Sequence, residues 1–296
     1  MTNIRINTAG AGTGRKEALA EIIGEMEKMV GMIEVKTELN RFISLARLMV
    51  LRRERDLPAQ RVNLHMVFSG PPGTGKTVVA RKVGRMLKAI RLLKTGDCIE
   101  VDRSHLVAPY VGQTATKTRE VIERALDNVL FIDEAYTLTN QGQDKDPFGQ
   151  EAVDTLLRLM ENYRDRLVVI AAGYSGEMRK FVDSNPGLRS RFARFVEFKP
   201  YNRDELMEIF KGIARESQLE LDPRAEKAAS DSIREIASHG AMDETFGNAR
   251  VIRSFFEKIV TTQAERLAGE DDLEAISDEV LQQITEDDVK FAAESM

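Results

Sequence analysis

Gly70-Pro71-Pro72-Gly73-Thr74-Gly75-Lys76-Thr77 decides how the rest of this 296-residue chain is read. A glycine, four residues and then Gly-Lys-Thr is the phosphate-loop pattern. An apolar run, Val62 to Phe68, precedes it, and a helical pattern follows with Val78, Val79, Val83 and Leu87 on one side. The loop therefore joins a strand to a helix, which is the context the motif needs. Its glycines reach backbone angles closed to other residues, so successive N–H groups can point at one anion. The helix starting near Gly75 adds its positive dipole end. In such a loop Lys76 reaches the β- and γ-phosphates and the Thr77 hydroxyl ligates Mg²⁺. This much specifies a nucleoside triphosphate and nothing about its use.

Downstream, Val129-Leu130-Phe131-Ile132 ends in Asp133-Glu134. A short, wholly apolar run followed by acids is how a buried parallel strand delivers carboxylates to its C-terminal edge. Asp133 is expected to hold Mg²⁺, directly or through water, and Glu134 to act as the base that activates the attacking water. Cys98–Val101, Leu167–Ala172 and Arg194–Phe198 read as further strands. Helical patterns lie between them, over Thr114–Leu126 and again with Ala152, Val153, Leu156, Leu157, Met160 and Tyr163 on one face. Alternating strands and helices predict a parallel α/β sheet.

Upstream, residues 1–14 read as a flexible arm. Arg15–Val30 reads as a helix with Leu19, Ile22, Ile23, Met26 and Val30 on one face, broken at Val30-Gly31. A second helix runs from Val35 to about Arg55 and stops before Pro58. After Pro200 the strand pattern ends. Asp204–Ser217, Arg224–Ser238, Thr245–Leu267 and Thr285–Ala293 read as helices, the last opened by a Thr285/Asp288 capping box. The acidic stretch Gly269–Glu279 reads as a solvated connection. Three parts are expected: 1–27, an arm and N-terminal helix; 28–200, an α/β nucleotide-binding domain; and 201–296, a small helical domain.

Composition narrows the function classes. A net charge of −5 argues against a dominant nucleic-acid surface. The lone Cys98 cannot form an internal disulfide, and no cysteine cluster suggests a metal. Neither a signal peptide nor an apolar run of membrane-spanning length is evident, so a cytoplasmic location is the expectation.

Gly-Pro-Pro-Gly-Thr-Gly-Lys-Thr together with Phe-Ile-Asp-Glu-Ala resembles the AAA+ ATPases. Much of residues 28–267 looks like their CbxX/CfqX branch, which includes red-type Rubisco activases, sporulation-type AAA proteins and the ATPase half of type VII secretion chaperones. The narrower likeness rests on Val107-Ala108-Pro109-Tyr110-Val111-Gly112-Gln113-Thr114, Asp133 to Leu138, Ala172-Gly173-Tyr174, Ser184 to Phe192 and Phe246-Gly247-Asn248-Ala249-Arg250.

The resemblance implies roles position by position. Val30-Gly31 would pack on adenine, and Gly70 to Val78 with Asp133 would bind ATP and Mg²⁺. Tyr110-Val111-Gly112 would be an aromatic pore loop that grips a polypeptide; an aromatic ring offers large, sequence-tolerant contact at low entropy cost. Arg191, with Arg189 as the alternative, would be the arginine finger that reaches a neighbouring subunit's ATP. Arg250, with Arg253 one turn away, would contact phosphate from the helical lid. Gly173-Tyr174 stands where many AAA+ proteins carry a polar sensor asparagine.

The implied activity is ATP hydrolysis by a ring, a homo-hexamer, that remodels a client protein, with a Rubisco-activase-like chaperone as one form the resemblance allows. Two alternatives stay open: a DNA-associated AAA+ ATPase, and a nucleotide-switched scaffold with slow turnover. The absence of basic pore loops counts against the first, and Glu134 against the second.

Overall fold

Five short strands, β1 (Met66–Ser69), β2 (Cys98–Val101), β3 (Asn128–Ile132), β4 (Leu167–Gly173) and β5 (Arg194–Glu197), form one parallel sheet in the order β2-β3-β4-β1-β5. The computed structural model that shows this describes residues 13–58, 62–139, 146–240, 245–269 and 276–295. The chain divides into two compact units, Met1–Gly70 with Gly75–Phe198, and Pro71–Thr74 with Lys199–Met296.

Side chains alternate across a strand, and the first unit uses both faces of its sheet. Met66, Phe68, Val129, Phe131, Ile170 and Val196 point to one core. That core is completed by α1 (Thr13–Glu27), α2 (Ile33–Glu54) and α3 (Lys76–Ala89). Val67, Leu130, Ile132, Val169 and Ala171 point to the other. There they meet α4 (Arg103–Leu106), α5 (Thr114–Arg124), α6 (Pro147–Asn162), α7 (Ser175–Asp183) and α8 (Pro186–Arg191). Burial on both faces explains why β3 and β4 read as unbroken apolar runs.

Helix α1 is fastened to α3 by charge as well as packing. Glu25 accepts from Lys82 Nζ at 2.6 Å and from both terminal nitrogens of Arg85 at 2.6 and 2.8 Å. The Arg85 and Lys82 hydrogen bonds hold its carboxyl down at about 2. On α3, Val79, Val83 and Leu87 are buried as the periodicity predicts, but Val78 is not: it is 45% exposed. A residue next in sequence to Val79 lies about 100° around the helix and cannot share its face.

In the second unit, α9 (Arg203–Glu216), α10 (Pro223–Gly240), α11 (Ala249–Leu267) and α13 (Glu286–Glu294) pack around Leu206, Phe210, Ile233, Phe255, Ile259 and Val289. The Phe210 ring lies 5.9 Å from Phe255 and 5.7 Å from Phe256. The Thr285/Asp288 capping box forms as read: Thr285 N–H donates to Asp288 Oδ2 at 2.9 Å and Asp288 N–H to Thr285 Oγ1 at 3.4 Å.

Three expectations here need correction. The unit is not free of strands, because β6 (Glu220–Leu221) pairs in parallel with β7 (Gln283–Ile284). Part of the expected acidic connection is helical: α12 (Asp278–Gln282) starts at Ser277, whose hydroxyl accepts from Val280 N–H. The helix expected from Thr245 begins at Ala249, because Asn248 has φ 47° and ψ −123°, which no helix accommodates. Residues 1–12 of the expected arm, 140–145 of the loop before α6 and 270–275 of the acidic stretch lie outside the described residues.

Candidate functional site

The register of the sheet brings the sequence-predicted groups of the first unit to one edge. Val67 and Ile132 both pair with Ala171, from opposite sides of β4, so β3 ends opposite Ala171 and β1 runs two residues further, to Ser69 opposite Gly173. Ser69 pairs with Gly173, and Gly70 N–H extends that ladder by donating to Gly173 O at 3.0 Å. Asp133 likewise extends β3 by donating to Val101 O of β2 at 2.8 Å. Gly70, Asp133, Glu134 and Tyr174 therefore all leave the sheet at the carboxyl ends of its strands, where open α/β sheets bind ligands.

The loop itself is built from positive-φ glycines: Gly70 at 146°, Gly73 at 69° and Gly75 at 90°. Gly70 is also a close approach, since a Cβ there would lie 2.1 Å from Phe198 O. Gly75 caps α3 in the left-handed region, and Val79 N–H donates to its carbonyl at 2.9 Å. Lys76 Nζ donates to Gly70 O at 2.8 Å, folding its stem back over the loop. In the second unit, Thr74 Oγ1 donates to Pro71 O at 2.8 Å and closes the Pro-Pro-Gly-Thr turn.

Asp133 and Glu134 are both exposed. Their backbone is pinned nonetheless. Glu134 has φ 47°, and its carbonyl accepts from both Thr137 N–H at 2.8 Å and Thr137 Oγ1 at 2.7 Å. Asp133 Oδ1 accepts from Glu134 N–H at 3.1 Å. A left-handed non-glycine residue held this way aims its side chain off the strand line. Tyr136, in the following 3-10 turn Ala135–Leu138, packs beside Tyr174 with ring centroids 6.2 Å apart. Partial burial, then the nearby Glu134 charge, raises the Tyr136 hydroxyl above its usual range.

The donor set fits Mg²⁺ that arrives with nucleotide. Thr77 offers a hydroxyl and Asp133 a carboxylate, both hard oxygen ligands. No group of three or more His, Cys, Asp or Glu among the described residues could hold a metal alone. Magnesium bound through one or two protein oxygens and substrate phosphates is the pattern such a set serves.

Other predicted residues lie elsewhere in the first unit. Tyr110 and Val111 are 69% and 87% exposed, at the tip of the loop between α4 and α5. The base of that loop is braced: Thr114 Oγ1 accepts from Ala108 N–H at 3.1 Å, and Lys117 Nζ donates to Ser104 O and Val107 O at 2.7 and 3.0 Å. Gly112, with φ 79°, closes it and has open space beside it. Val30 and Gly31 are half-buried in the turn before α2, where Gly31 and Met32 are successively left-handed. Arg189 and Arg191 close α8 differently. Arg189 is exposed and pairs with Asp183 at 2.7 Å. Arg191 is mostly buried, lies 3.7 Å from Glu161, and its Nε has no hydrogen-bond partner.

In the second unit Arg250 and Arg253 are exposed on the first turns of α11. The residue that sequence reasoning missed there is Asn248, fully buried just before them. An asparagine ahead of a helix signals an N-cap, yet its side chain caps nothing. Arg103 was also missed. It donates to Thr137 O at 2.8 Å and to Asp146 Oδ2 at 2.6 Å, joining the helix after β2 to the turn after Glu134. Nothing local in the sequence marks Arg103, and the local signal at Asn248 points to a cap that does not form.

Residues 66–200 match the profile of the ATPase family associated with various cellular activities (AAA), and residues 202–296 match the AAA lid domain. Stage V sporulation protein K of Bacillus subtilis is 41% identical over 249 residues, covering 84% of this chain and 76% of that protein. The ESX-1 secretion system protein EccA1 of Mycolicibacterium smegmatis is 40% identical over 290 residues, covering 96% of this chain and 50% of that protein. The chain thus spans about half the length of the EccA1 relative it matches. Among solved structures, the FIGL-1 AAA domain in complex with ADP superposes with a TM-score of 0.62 at 18% identity, covering 98% of this chain and 92% of that one. No helix among the described residues is long and apolar enough to cross a membrane.

Proposed function

We propose, from the premise that this chain belongs to the AAA family of ATPases, that it hydrolyses ATP with Mg²⁺ as a ring of identical subunits and uses the cycle to remodel a client protein. The observation that carries the reading is the single carboxyl edge of the sheet from which Gly70, Asp133 and Glu134 all emerge. The loop amides and Lys76 bind and orient the triphosphate, and Thr77 and Asp133 hold the Mg²⁺ that neutralises its charge. Glu134 takes a proton from the attacking water. Its pinned backbone keeps that carboxylate in one place.

Arg191 is the better candidate for the finger that reaches a neighbouring site. Its guanidinium is held only loosely, 3.7 Å from Glu161, whereas Arg189 pairs closely with Asp183 at 2.7 Å. The finger role requires the oligomer; a hexamer is the ring size the family likeness supports. Arg250, exposed at the start of α11, serves as the phosphate contact from the helical unit. Tyr110 and Val111 form the client grip: two exposed apolar side chains on a braced loop are poor economy for folding but suit sequence-tolerant peptide contact. The likeness to secretion and sporulation proteins favours a protein client over DNA, and a cytoplasmic site of action; a Rubisco-like client rests on resemblance alone.

Comparing ATP turnover by wild type and Glu134→Gln tests the chemistry. The variant should bind ATP with near wild-type affinity and turn it over on the order of a hundredfold more slowly. Equal turnover removes Glu134 as the base. Native mass spectrometry of the same variant with ATP should show a ring with client bound, and adding Tyr110→Ala should release that client. DNA-stimulated turnover would favour the nucleic-acid alternative instead.

A further inference from the structure

Asn248 is fully buried, and every polar atom of its side chain is used. Its Oδ1 accepts from Tyr201 N–H at 3.0 Å, while Nδ2 donates to Pro72 O at 3.2 Å and to Phe246 O at 2.8 Å. One partner is an N–H and two are carbonyls, so the orientation of the amide is fixed by chemistry. All three are backbone groups, drawn from the start of the helical segment, the phosphate loop and the approach to α11. A second link runs beside it: Ala249 N–H, the first donor of α11, reaches Gly73 O at 3.3 Å. The two segments are also in steric contact, since a Cβ on Gly73 would lie 1.8 Å from Gly247 O and 3.0 Å from Arg250 N. This explains why Pro71–Thr74 belongs with Lys199–Met296, although Gly70 and Gly75 on either side belong with the sheet.

The backbone of Asn248 is costly. φ 47° with ψ −123° is a conformation that glycine adopts readily and asparagine only under constraint. A glycine would satisfy the chain path, so the asparagine is there for its side chain. The side chain has also forgone the N-cap bond, leaving a phosphate-loop carbonyl to serve the helix end.

We propose that Asn248 is a positioning residue for nucleotide: it fastens the Pro72–Gly73 limb of the phosphate loop to the first turn of α11, so that affinity for a nucleoside phosphate, and above all its release, depends on this buried amide. The inference rests on the reading of Gly70–Thr77 as an ATP site. When the fastening is lost, the loop amides must be ordered by the ligand itself, and the cost appears as weaker binding and faster dissociation. The chemistry at Glu134 is untouched.

The test uses the full-length chain with Mg²⁺, measuring release of N-methylanthraniloyl-ADP by stopped flow and ATP turnover for kcat and KM. Asn248→Gly keeps the backbone path and deletes the three bonds. Asn248→Asp keeps the acceptor for Tyr201 N–H and places oxygen against the Pro72 and Phe246 carbonyls, so it answers the question should the glycine variant fail to fold. In either variant, release should quicken on the order of tenfold and KM for ATP rise similarly, with kcat changed less than about twofold. Wild-type release and KM in a folded variant overturn the proposal, as does a fall in kcat and thermal stability with release unchanged, which marks a merely structural residue. Wild type and Lys76→Ala binding the nucleotide equally weakly would instead overturn the ATP-site reading beneath it.

Discussion

The exposed acids of the sheet unit and the buried polar side chains of the helical unit are held in different ways. In the sheet unit, the acids that matter, Asp133 and Glu134, stand exposed at a strand end, above a core that is apolar on both faces. In the helical unit the notable polar groups are buried: Asn248, Gln263 and Asp288. Each spends its hydrogen bonds on other elements of the same unit. Gln263 Nε2 donates to Leu281 O and Gln283 O, and Asp288 takes both Arg266 nitrogens at 2.9 Å. An exposed polar group on pinned backbone is available to a ligand, and a buried one that is fully satisfied is an architectural fixture. Asp133 and Glu134 are thus open to a ligand, while Gln263 and Asp288 tie the helical unit's own elements together.

That contrast can be broken experimentally. If it is right, Asp133→Asn lowers ATP turnover on the order of a hundredfold while moving unfolding free energy by no more than about 0.5 kcal/mol, as exposed substitutions do. Steady-state kinetics beside a urea titration decides it; a large stability loss would mean that Asp133 is a structural residue. Asp288→Ala should do the reverse. It strands Arg266 and the Thr285 N–H and should cost about 2–3 kcal/mol, discounted for the partial exposure of Arg266. Nucleotide turnover at permissive temperature should hardly change.

A smaller effect sharpens the comparison, because the sheet unit also holds buried polar residues of the architectural kind, among them His65. His65 is 3% exposed, accepts from Val169 N–H through Nδ1 at 3.0 Å, and lies edge-on to Phe192. Burial, then the Arg191 charge, pushes its pKa down to about 4. The folded state therefore keeps His65 neutral where the unfolded state takes up a proton. Stability is full above the ordinary histidine pKa and is lost as pH falls from there toward 4, by about 1.4 kcal/mol per pH unit. Thermal unfolding at pH 7 and pH 5 should show the loss, and His65→Gln, which takes up no proton, should flatten it.

Much of this was legible in the chain. β3 and β4 announce themselves by short apolar runs, and the phosphate loop by spacing that few other structures require. What escaped the sequence shares a cause. The β6–β7 ladder pairs residues 220 and 283, each strand only two residues long, so no local periodicity exists to read. The true start of α11 depends on a backbone conformation that Asn248 adopts because of Tyr201 and Pro72, far away in sequence. The difference between Arg189 and Arg191, adjacent in pattern and alike in charge, comes from what surrounds them in three dimensions. The exposure of Val78 was readable and was misread, since adjacent helical residues cannot share a face.

The clasp of Glu25 on Lys82 and Arg85 bears on where this protein can be cut. The stretch shared with the wider family starts at residue 66, which invites trimming everything before it. Yet Leu19, Ile22 and Met26 of α1, and Leu39, Phe42 and Ile43 of α2, are walls of the core beneath α3. A piece beginning at Met66 would bare that apolar floor to water and leave Lys82, now 15% exposed, without its carboxylate. The smallest autonomous fragment is therefore longer than the recognisable one, and its edge is drawn by packing, not by ancestry.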